Sequence, residues 1–523
     1  MKSSDKFLRG AMILTIAGLL VKVIGSVNRI LLSRLLGGEG IGLYQMAYPV
    51  YLLLLSISAA GIPVAISIIV AEYLAQRDYA NVRQVFRVSL RLMAVVGLVL
   101  AAALVMAAGW LVENGVIKDA RAYYALLALT PAIFFATILA SFRGYFQGHQ
   151  LMTPPAVSQI VEQFIRVVTM VVLAYVLLPY GLEFAAAGAA FGAVPGSLTG
   201  LVVLGGFYRY YKKQWRDEES ALPGAQLTPA RRLIKRLLLL ALPVSCANVI
   251  VPMTSSIDVL LVPKYLLAAG FSVKEATTQF GYLAGMAQPL LLMATIPTMS
   301  LATSLVPAVS EAMALKRWPL IEEKLATAMK LCCLITVPAA VGMSALAGPI
   351  SRLLYGTGET AAAIMHSGPA IWFLGLQQVT TGMLQGMGHT NLPMLHMLAG
   401  IVAKLIAVCQ LTNAEYGIAG AAWATNINFG VTAALNILAL QYFKIKFHWL
   451  SICKIILAAL IMGAAAQALH GLLAGFNYTL ATLAALAGAG VVYAALLPLL
   501  RIISVAELKQ LPLVKKLAQK LRK

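Results

Sequence analysis

The sequence predicts an all-α polytopic membrane protein with 14 transmembrane helices, arranged as two pseudo-symmetric six-helix lobes plus two extra C-terminal helices. Three observations predict this class: the composition, the series of apolar segments and an internal repeat. Of the 523 residues, 60% are hydrophobic and 11% are charged, against roughly 45–50% and 25% in a soluble domain. A chain of this composition is expected to bury most of its length in lipid.

The apolar segments are each long enough to cross a bilayer, which takes about 20 residues. Glycine, proline or charged residues separate them. They run over 10–36, 42–75, 88–112, 122–147, 156–179, 183–208, 233–262, 278–311, 325–348, 362–387, 392–412, 418–443, 450–471 and 477–501. The basic start of the chain has no signal-peptide cleavage site, so the first segment is expected to be a retained span.

The basic residues predict the orientation of these spans. With the N-terminus inside, the inward loops and helix ends hold thirty of the forty Lys and Arg residues, and the outward loops hold six. This bias fits the positive-inside rule and predicts that both termini are cytoplasmic. The net charge of +21 therefore concerns topology, and we expect no nucleic-acid partner.

An internal repeat predicts the two lobes. Gly144-Tyr-Phe-Gln-Gly148 recurs 238 residues later as Gly382-Met-Leu-Gln-Gly386, and Arg166 matches Lys404 at the same displacement. Six spans separate the copies, so both have the same orientation, as in transporters built from parallel repeats. The predicted parts are an N-terminal lobe (1–211), a cytoplasmic linker (212–230), a C-terminal lobe (231–447), helices 13 and 14 (448–503) and a basic amphipathic tail (504–523).

Ionisable residues within the spans mark the candidate site. Lys22, Ser26 and Arg29 follow helical spacing in the first span, and Glu162 can pair with Arg166 one turn away in the fifth. A Lys or Arg at the centre of a span costs about 2.5–3.5 kcal/mol, so several of them predict a shared polar cavity. The predicted cationic lining is Lys22, Arg29, Arg166 and Lys404, with Ser26, Gln159, Glu162, Asn248, Ser255, Asp258 and Gln288 as further polar or coupling residues.

A cationic cavity suits an anionic passenger, and the arginine fork matches phosphate oxygens. The alternative is that these residues only lock helices together, and for Arg166, paired with Glu162, the two interpretations are balanced. Arg143 lies at a cytoplasmic helix end, where topology alone explains a basic residue. The five cysteines and six histidines have no disulfide or metal-ligand spacing. No P-loop or catalytic motif occurs, so we expect neither an enzyme nor a cofactor.

Three motifs carry a resemblance to a known family: the stretch from Phe7 to Tyr51, AGIPVAISIIVAEY, and FRGYFQGHQLMTPPAVSQIVEQFIRV. Across the whole chain the sequence resembles the stage V sporulation protein B group of polysaccharide-biosynthesis membrane proteins, in the multidrug/oligosaccharidyl-lipid/polysaccharide (MOP) exporter superfamily. The resemblance implies a MurJ-like flippase with two lobes around a central cavity. It also implies a lipid-tail groove at helices 13 and 14.

MurJ-type members have cavity arginines in helices one, two and eight. Here only the first span matches, and Gln288 and the cations of the fifth and eleventh spans are candidates to replace the others. The resemblance implies a bacterial plasma-membrane flippase that moves a polyprenyl-pyrophosphate-linked glycan, foremost peptidoglycan lipid II, from the inner to the outer leaflet.

We expect a monomer whose partners are this substrate, membrane lipid and cell-wall synthesis proteins, with the coupling ion left open. Two alternatives stand beside this hypothesis. One is an ion-coupled multidrug exporter of the same superfamily. The other is a membrane scaffold for cell-wall or spore-cortex synthesis that transports nothing.

Overall fold

The predicted all-helical fold is confirmed. A computed structural model describes residues 3–59, 61–219, 227–443, 445, 449–475 and 477–502, and within these ranges there are helices and no strands. The contacts divide the chain into two compact units, Met1–Gly285 and Met286–Lys523, here called unit 1 and unit 2. The predicted tail, 504–523, lies outside the described residues. The predicted lobe and linker boundaries stay predictions.

Unit 1 contains nine α-helices and the start of a π-helix among its described residues. The helices are α1 (Ser3–Ala59), α2 (Ile62–Ala75), α3 (Tyr79–Glu113), α4 (Ala122–Gly148), α5 (Thr153–Leu177), α6 (Leu182–Phe191), α7 (Ala193–Glu219), α8 (Ala230–Ala268) and α9 (Val273–Phe280). The π-helix, Gly281–Ala287, follows α9 directly.

Unit 2 contains ten further α-helices in the part of the chain that the structure describes. They are α10 (Gln288–Ala294), α11 (Ile296–Ala314), α12 (Trp318–Ala345), α13 (Ala347–Tyr355), α14 (Ala361–Ser367), α15 (Pro369–Gly386), α16 (Asn391–Leu411), α17 (Gly417–Tyr442), α18 (Trp449–Leu473) and α19 (Tyr478–Leu499).

Ten helices among the described residues are long and apolar enough to cross a membrane, or eleven if the bent pair Val273–Ala294 and Ile296–Ala314 is one span. The chain is therefore a multi-pass membrane protein. Fourteen spans stay a prediction. Part of the difference is that the first of the ten, Ile16–Ala75, covers two predicted spans.

Helix α1 folds back on itself at Gly37. Gly37 has φ 64°, a conformation that glycine adopts without strain. The guanidinium carbon of Arg29 lies 5.9 Å from the centre of the Tyr48 ring, although 19 residues of straight helix would separate them by about 28 Å. Residues 3–36 and 38–59 are therefore two arms of a hairpin, as expected for the first two predicted spans.

A seam of glycines joins the second arm of α1 to α9 and to the π-helix that follows it. A Cβ atom on Gly42 would lie 2.1 Å from the Thr277 carbonyl oxygen, and one on Gly281 would lie 1.9 Å from the Gly38 carbonyl oxygen. Nearby, the Gln45 side-chain amide donates to the Ala284 carbonyl oxygen at 2.6 Å. Only glycine permits backbones to approach so closely. We call these contacts the glycine seam.

The two copies of the internal repeat pack in the same way. A Cβ atom on Gly144 of α4 would lie 2.7 Å from the Pro63 carbonyl oxygen, and one on Gly382 of α15 would lie 2.6 Å from the Ala302 carbonyl oxygen. Pro63 and Ala302 are 239 residues apart, close to the displacement of the glycines themselves. Small residues are typical of such tight membrane-helix contacts. The second glycine of each motif repeats the arrangement, Gly148 against Ser67 and Gly386 against Val306.

The structure differs from the predicted spans at several places, among them α7, the predicted eighth span and α13. Helix α7 continues to Glu219, beyond the predicted end of the span at 208. The added residues are mostly polar or charged, so the helix extends past the end of the apolar segment. The predicted eighth span is broken, with a bend of 48° at Thr295. Helix α13 occupies a predicted connection, because nine residues are too few to register as a span.

Candidate functional site

Two helices of unit 1, α4 and α5, bring three ionisable residues together. The predicted Glu162–Arg166 pair is present on α5, with Oε1 and Nη2 2.7 Å apart. Arg143 of α4 binds the other carboxylate oxygen, Oε2, through its own Nη2 at 2.6 Å. One carboxylate is therefore shared between two guanidinium groups. We call these three residues the Arg–Glu–Arg cluster.

The cluster is mostly buried but not sealed. The side chains of Arg143, Glu162 and Arg166 are 21%, 12% and 16% exposed, so solvent or a ligand can reach them. Helix α7 offers only backbone here: a Cβ atom on Gly196 would lie 2.9 Å from the Arg166 Cβ, and one on Gly200 would lie 3.3 Å from the Glu162 Cβ. The two glycines keep this side of the cluster free of side chains.

The arginines of the cluster have donors to spare. The Nε–H groups of Arg143 and Arg166 are buried without an acceptor. An unsatisfied buried donor costs about 1–3 kcal/mol. Native proteins therefore normally satisfy such groups with water, an ion or a ligand. The two arginines can therefore donate further hydrogen bonds to acceptor oxygens.

Arg29 and a row of tyrosines extend the cluster along α1. Tyr44, Tyr48 and Tyr51 all lie near Arg166. Tyr44 and Tyr48 stack with their ring centres 5.2 Å apart, and Arg29 lies over the Tyr48 ring. A cation over an aromatic face is held by the ring quadrupole. The site thus contains three guanidinium groups and the Glu162 carboxylate, with a formal charge of +2.

The other predicted residues of unit 1 lie near or away from this site. Lys22 is exposed on the first arm of α1, and Ser26 is half-buried one turn along. Gln159 is half-buried one turn before Glu162 on α5. On α8, the Asn248 side chain is exposed and donates to the Val244 carbonyl oxygen. Ser255 is half-buried on the same helix, and Asp258 is buried.

Arg143 is the site residue that sequence reasoning missed. The positive-inside rule already accounts for a basic residue near the end of this span, so its position alone indicates no further role. The missed signal is that α4 and α5 are joined by only four residues, 149–152, so residues near the connection on the two helices cannot be far apart. Opposite charges on such neighbours, here Arg143 and Glu162, are expected to meet.

A second charged cluster, at the predicted outward end of unit 1, contains two acids and two bases. Arg121 binds Glu39 at 2.7 Å and Asp119 at 2.8 Å, and Lys274 lies 3.6 Å from Glu39. The Thr277 hydroxyl also donates to Asp119 at 2.8 Å. Burial acts to raise the pKa of Asp119, but the hydrogen bonds from Arg121 and Thr277 outweigh it and hold that pKa below its usual value. We call this group the outer cluster.

Unit 2 contains the remaining predicted residues. Lys404 of α16 is 1% exposed, and Gln288 is half-buried at the start of α10. Unit 2 also contains a neutral hydrogen-bond network. His396 Nδ1 donates to the Asn436 Oδ1 at 2.7 Å, and the Asn436 Nδ2 donates to the Thr380 and Thr381 hydroxyls. No group of three or more His, Cys, Asp or Glu side chains in the described ranges is placed to hold a metal ion.

Helices α18 and α19 form an apolar cavity with α12 and α13 in unit 2. Its volume is about 390 Å³. Its lining side chains are almost all aliphatic, among them Met343, Ile350, Met462 and Leu486, with Tyr493 at one end. Tyr493 donates its hydroxyl hydrogen to the Leu334 carbonyl oxygen at 3.2 Å, which leaves the ring to face the cavity as apolar surface.

Comparison with known proteins decides the family. Residues 7–313 match the family described as Polysaccharide biosynthesis protein, and residues 283–408 match the MatE family. Stage V sporulation protein B of Bacillus subtilis (strain 168) is 32% identical over 98% of this chain and 99% of its own length. The chain belongs to the polysaccharide biosynthesis protein family. It is thereby a member of the MOP transporter superfamily, and the predicted resemblance is confirmed.

Two further similarities concern MurJ. The lipid II flippase MurJ of the same bacterium is 27% identical to this polysaccharide biosynthesis family member, over 77% of each chain. A solved structure titled lipid II flippase MurJ, inward closed conformation, superposes with a TM-score of 0.69 at 16% identity, over 93% of this chain and 98% of that one. The fold is therefore that of MurJ.

Proposed function

We propose that this protein is a flippase that moves a polyprenyl-pyrophosphate-linked cell-wall glycan, foremost peptidoglycan lipid II, from the inner to the outer leaflet of the bacterial plasma membrane. The observation that carries the proposal is the formal charge of +2 at Arg29, Arg143, Arg166 and Glu162, within spans of unit 1. The names of the two curated relatives, a sporulation protein and a lipid II flippase, support the same class of substrate.

The positive charge of the site favours an anionic headgroup. A diphosphate that links a lipid to a sugar carries two negative charges near neutral pH, so it neutralises the formal charge of the site. Arginine recognises phosphate oxygens bidentately. The Nε–H groups of Arg143 and Arg166 have no acceptor and can donate to such oxygens. The stacked rings of Tyr44 and Tyr48 offer apolar faces against which a sugar ring can pack.

The polyprenyl tail needs a different environment. The apolar cavity beside α18 and α19 falls within the size range of lipid and drug-sized ligand sites, roughly 300–1,000 Å³. We propose that it receives isoprene units while the headgroup is in the cationic site. Binding of the tail then explains why a helix pair, α18 and α19, follows the two six-helix repeats. A substrate without a lipid tail would not need this helix pair.

Transport would proceed by alternating access, with the headgroup site open first to one side of the membrane and then to the other. An inward-negative potential favours outward movement of each negative charge by about 2.3 kcal/mol per 100 mV. No cofactor is part of the proposal, both termini are cytoplasmic and the protein acts as a monomer. An exporter of cationic drugs would instead require carboxylates in excess at the site.

The test is transport by the purified protein in vesicles made with defined lipids. Lipid II, an undecaprenyl-pyrophosphate sugar without the peptide, and a cationic dye are supplied separately, and exposure of each on the opposite leaflet is measured. We expect both pyrophosphate lipids to move and the dye to stay. Movement of the dye alone would contradict the proposal, and movement of nothing would favour the scaffold alternative.

A further inference from the structure

The shared carboxylate of the Arg–Glu–Arg cluster has a role of its own. We propose that Glu162 is a built-in competitor for the anionic headgroup: phosphate oxygens displace it from Arg143 and Arg166 on loading, and it takes both arginines back on release. This inference rests on the proposed function and concerns how that site is regulated. It names pyrophosphate as the group with which the carboxylate exchanges.

The hydrogen bonds show which partner is saturated. Glu162 gives one oxygen to each arginine, so both of its oxygens are engaged. Each arginine contacts it through Nη2, while the Nε–H of each has no acceptor. A pyrophosphate offers more acceptor oxygens than a carboxylate and can use both N–H groups of each fork. Exchange of the carboxylate for a phosphate therefore increases the number of charge-assisted hydrogen bonds.

The surroundings allow the carboxylate to move. Gly196 and Gly200 leave the α7 side of the cluster without side chains, and the Glu162 Oε2 lies 3.4 Å from where a Cβ on Gly200 would be. A larger residue at position 200 would press on the carboxylate, so glycine at this position removes one contact that would hold Glu162 in place. The partial exposure of all three side chains also gives the phosphate a route to the guanidinium groups.

The outer cluster shows what a purely structural arginine looks like in the same unit. Arg121 donates through Nε and Nη2 to Asp119 and through Nη1 to Glu39. Two acids there saturate one arginine, whereas in the Arg–Glu–Arg cluster one acid leaves two arginines unsaturated. Glu39 is thus a matched control for Glu162, because both are glutamates in ion pairs of unit 1.

A resident competitor also serves turnover. A site with three arginines and no acid would bind a pyrophosphate tightly and release it slowly. Glu162 lowers the net affinity of the site because the phosphate must displace it, and it stabilises the emptied site after release. Loss of the carboxylate is therefore expected to improve binding and impair transport, whereas loss of a structural counterion would weaken both.

The experiment measures both quantities on the full chain in lipid nanodiscs and vesicles. Binding of inorganic pyrophosphate is measured by calorimetry for the wild type, Glu162→Gln and Glu39→Gln. We expect Glu162→Gln to bind about tenfold more tightly and Glu39→Gln to bind like the wild type. In vesicles, Glu162→Gln should flip lipid II several-fold more slowly at saturating substrate.

Unchanged or weaker pyrophosphate binding by folded Glu162→Gln would overturn the inference. If that variant does not fold, Glu162→Ser, which also removes the charge, is expected to bind pyrophosphate more tightly in the same way. Unchanged or weaker binding by Glu162→Ser would likewise overturn the inference. The binding measurement needs no transport. Failure of the wild type to flip any pyrophosphate lipid would therefore contradict the proposed function separately.

Discussion

The two repeats share a scaffold but not a chemistry. Gly144 and Gly382 make the same backbone contacts in α4 and α15. At the same displacement, however, Arg143, Glu162 and Arg166 of the first copy correspond to Thr381, Gly400 and Lys404 of the second. The first copy has a shared carboxylate and unsaturated arginines. The second has one buried lysine and the neutral hydrogen bonds of Asn436 with Thr380, Thr381 and His396.

The difference teaches that helix packing and charge placement are separate properties of this fold. Small residues set how closely the helices approach, and these are retained in both copies. The polar residues between the helices can then diverge without changing the backbone. The two copies of the repeat thus share one helix packing, and on our proposal the first copy binds the phosphates.

The sharpest test of this asymmetry neutralises one cation in each copy. Arg166→Gln removes charge-assisted hydrogen bonds worth about 1.5–3 kcal/mol, so we expect lipid II flipping to fall about 10- to 100-fold. Lys404→Gln should lower it less than threefold, roughly 0.6 kcal/mol or below, because a side chain that is 1% exposed has little access to a headgroup. Flipping is measured in vesicles at equal amounts of inserted protein. Equal losses would show that both copies contribute cations to transport.

The shared scaffold makes a prediction about stability. Gly144→Val and Gly382→Val each place a side chain against a backbone carbonyl 2.6–2.7 Å away. We expect each to destabilise the protein by about 1–3 kcal/mol, measured as thermal unfolding in detergent.

The matched control is Gly109→Val, at a helical glycine with nothing within 4 Å of its Cβ position. This substitution changes the helix propensity in the same way as the other two, but its side chain meets no backbone carbonyl. A large loss for only one of the two motif glycines would contradict the equivalence of the copies.

The smallest expected effect is at the outer cluster. Asp119 has a lowered pKa in the folded protein, so it stabilises the fold fully above its unfolded pKa of about 3.9 and loses that contribution as the pH falls through its folded value. Asp119→Asn should cost about 1 kcal/mol at pH 7, since Arg121 is partly exposed. The difference between variant and wild type should shrink below about pH 4. A difference that does not change with pH would show that the carboxylate charge is not what stabilises the cluster.

The sequence predicted the helices, the repeat and the Glu162–Arg166 pair, because lipid imposes long apolar runs and helical spacing brings residues four apart together. It did not predict the hairpin geometry at Gly37, the π-helix at Gly281–Ala287 or the role of Arg143. These depend on contacts between residues far apart in the chain, such as Gly38 with Gly281. A single sequence without homologues records no such pairs.

The glycine seam has a mechanical consequence. At this seam the glycines also leave notches that side chains of the facing segment fill: the Tyr282 ring lies against Gly38, and the Ile41 side chain lies against Gly285. Each segment thus places a large side chain into a gap of the other, beside the backbone contact of Gly42 with Thr277. A joint of this kind opposes sliding as well as compression, so the two segments are expected to move together.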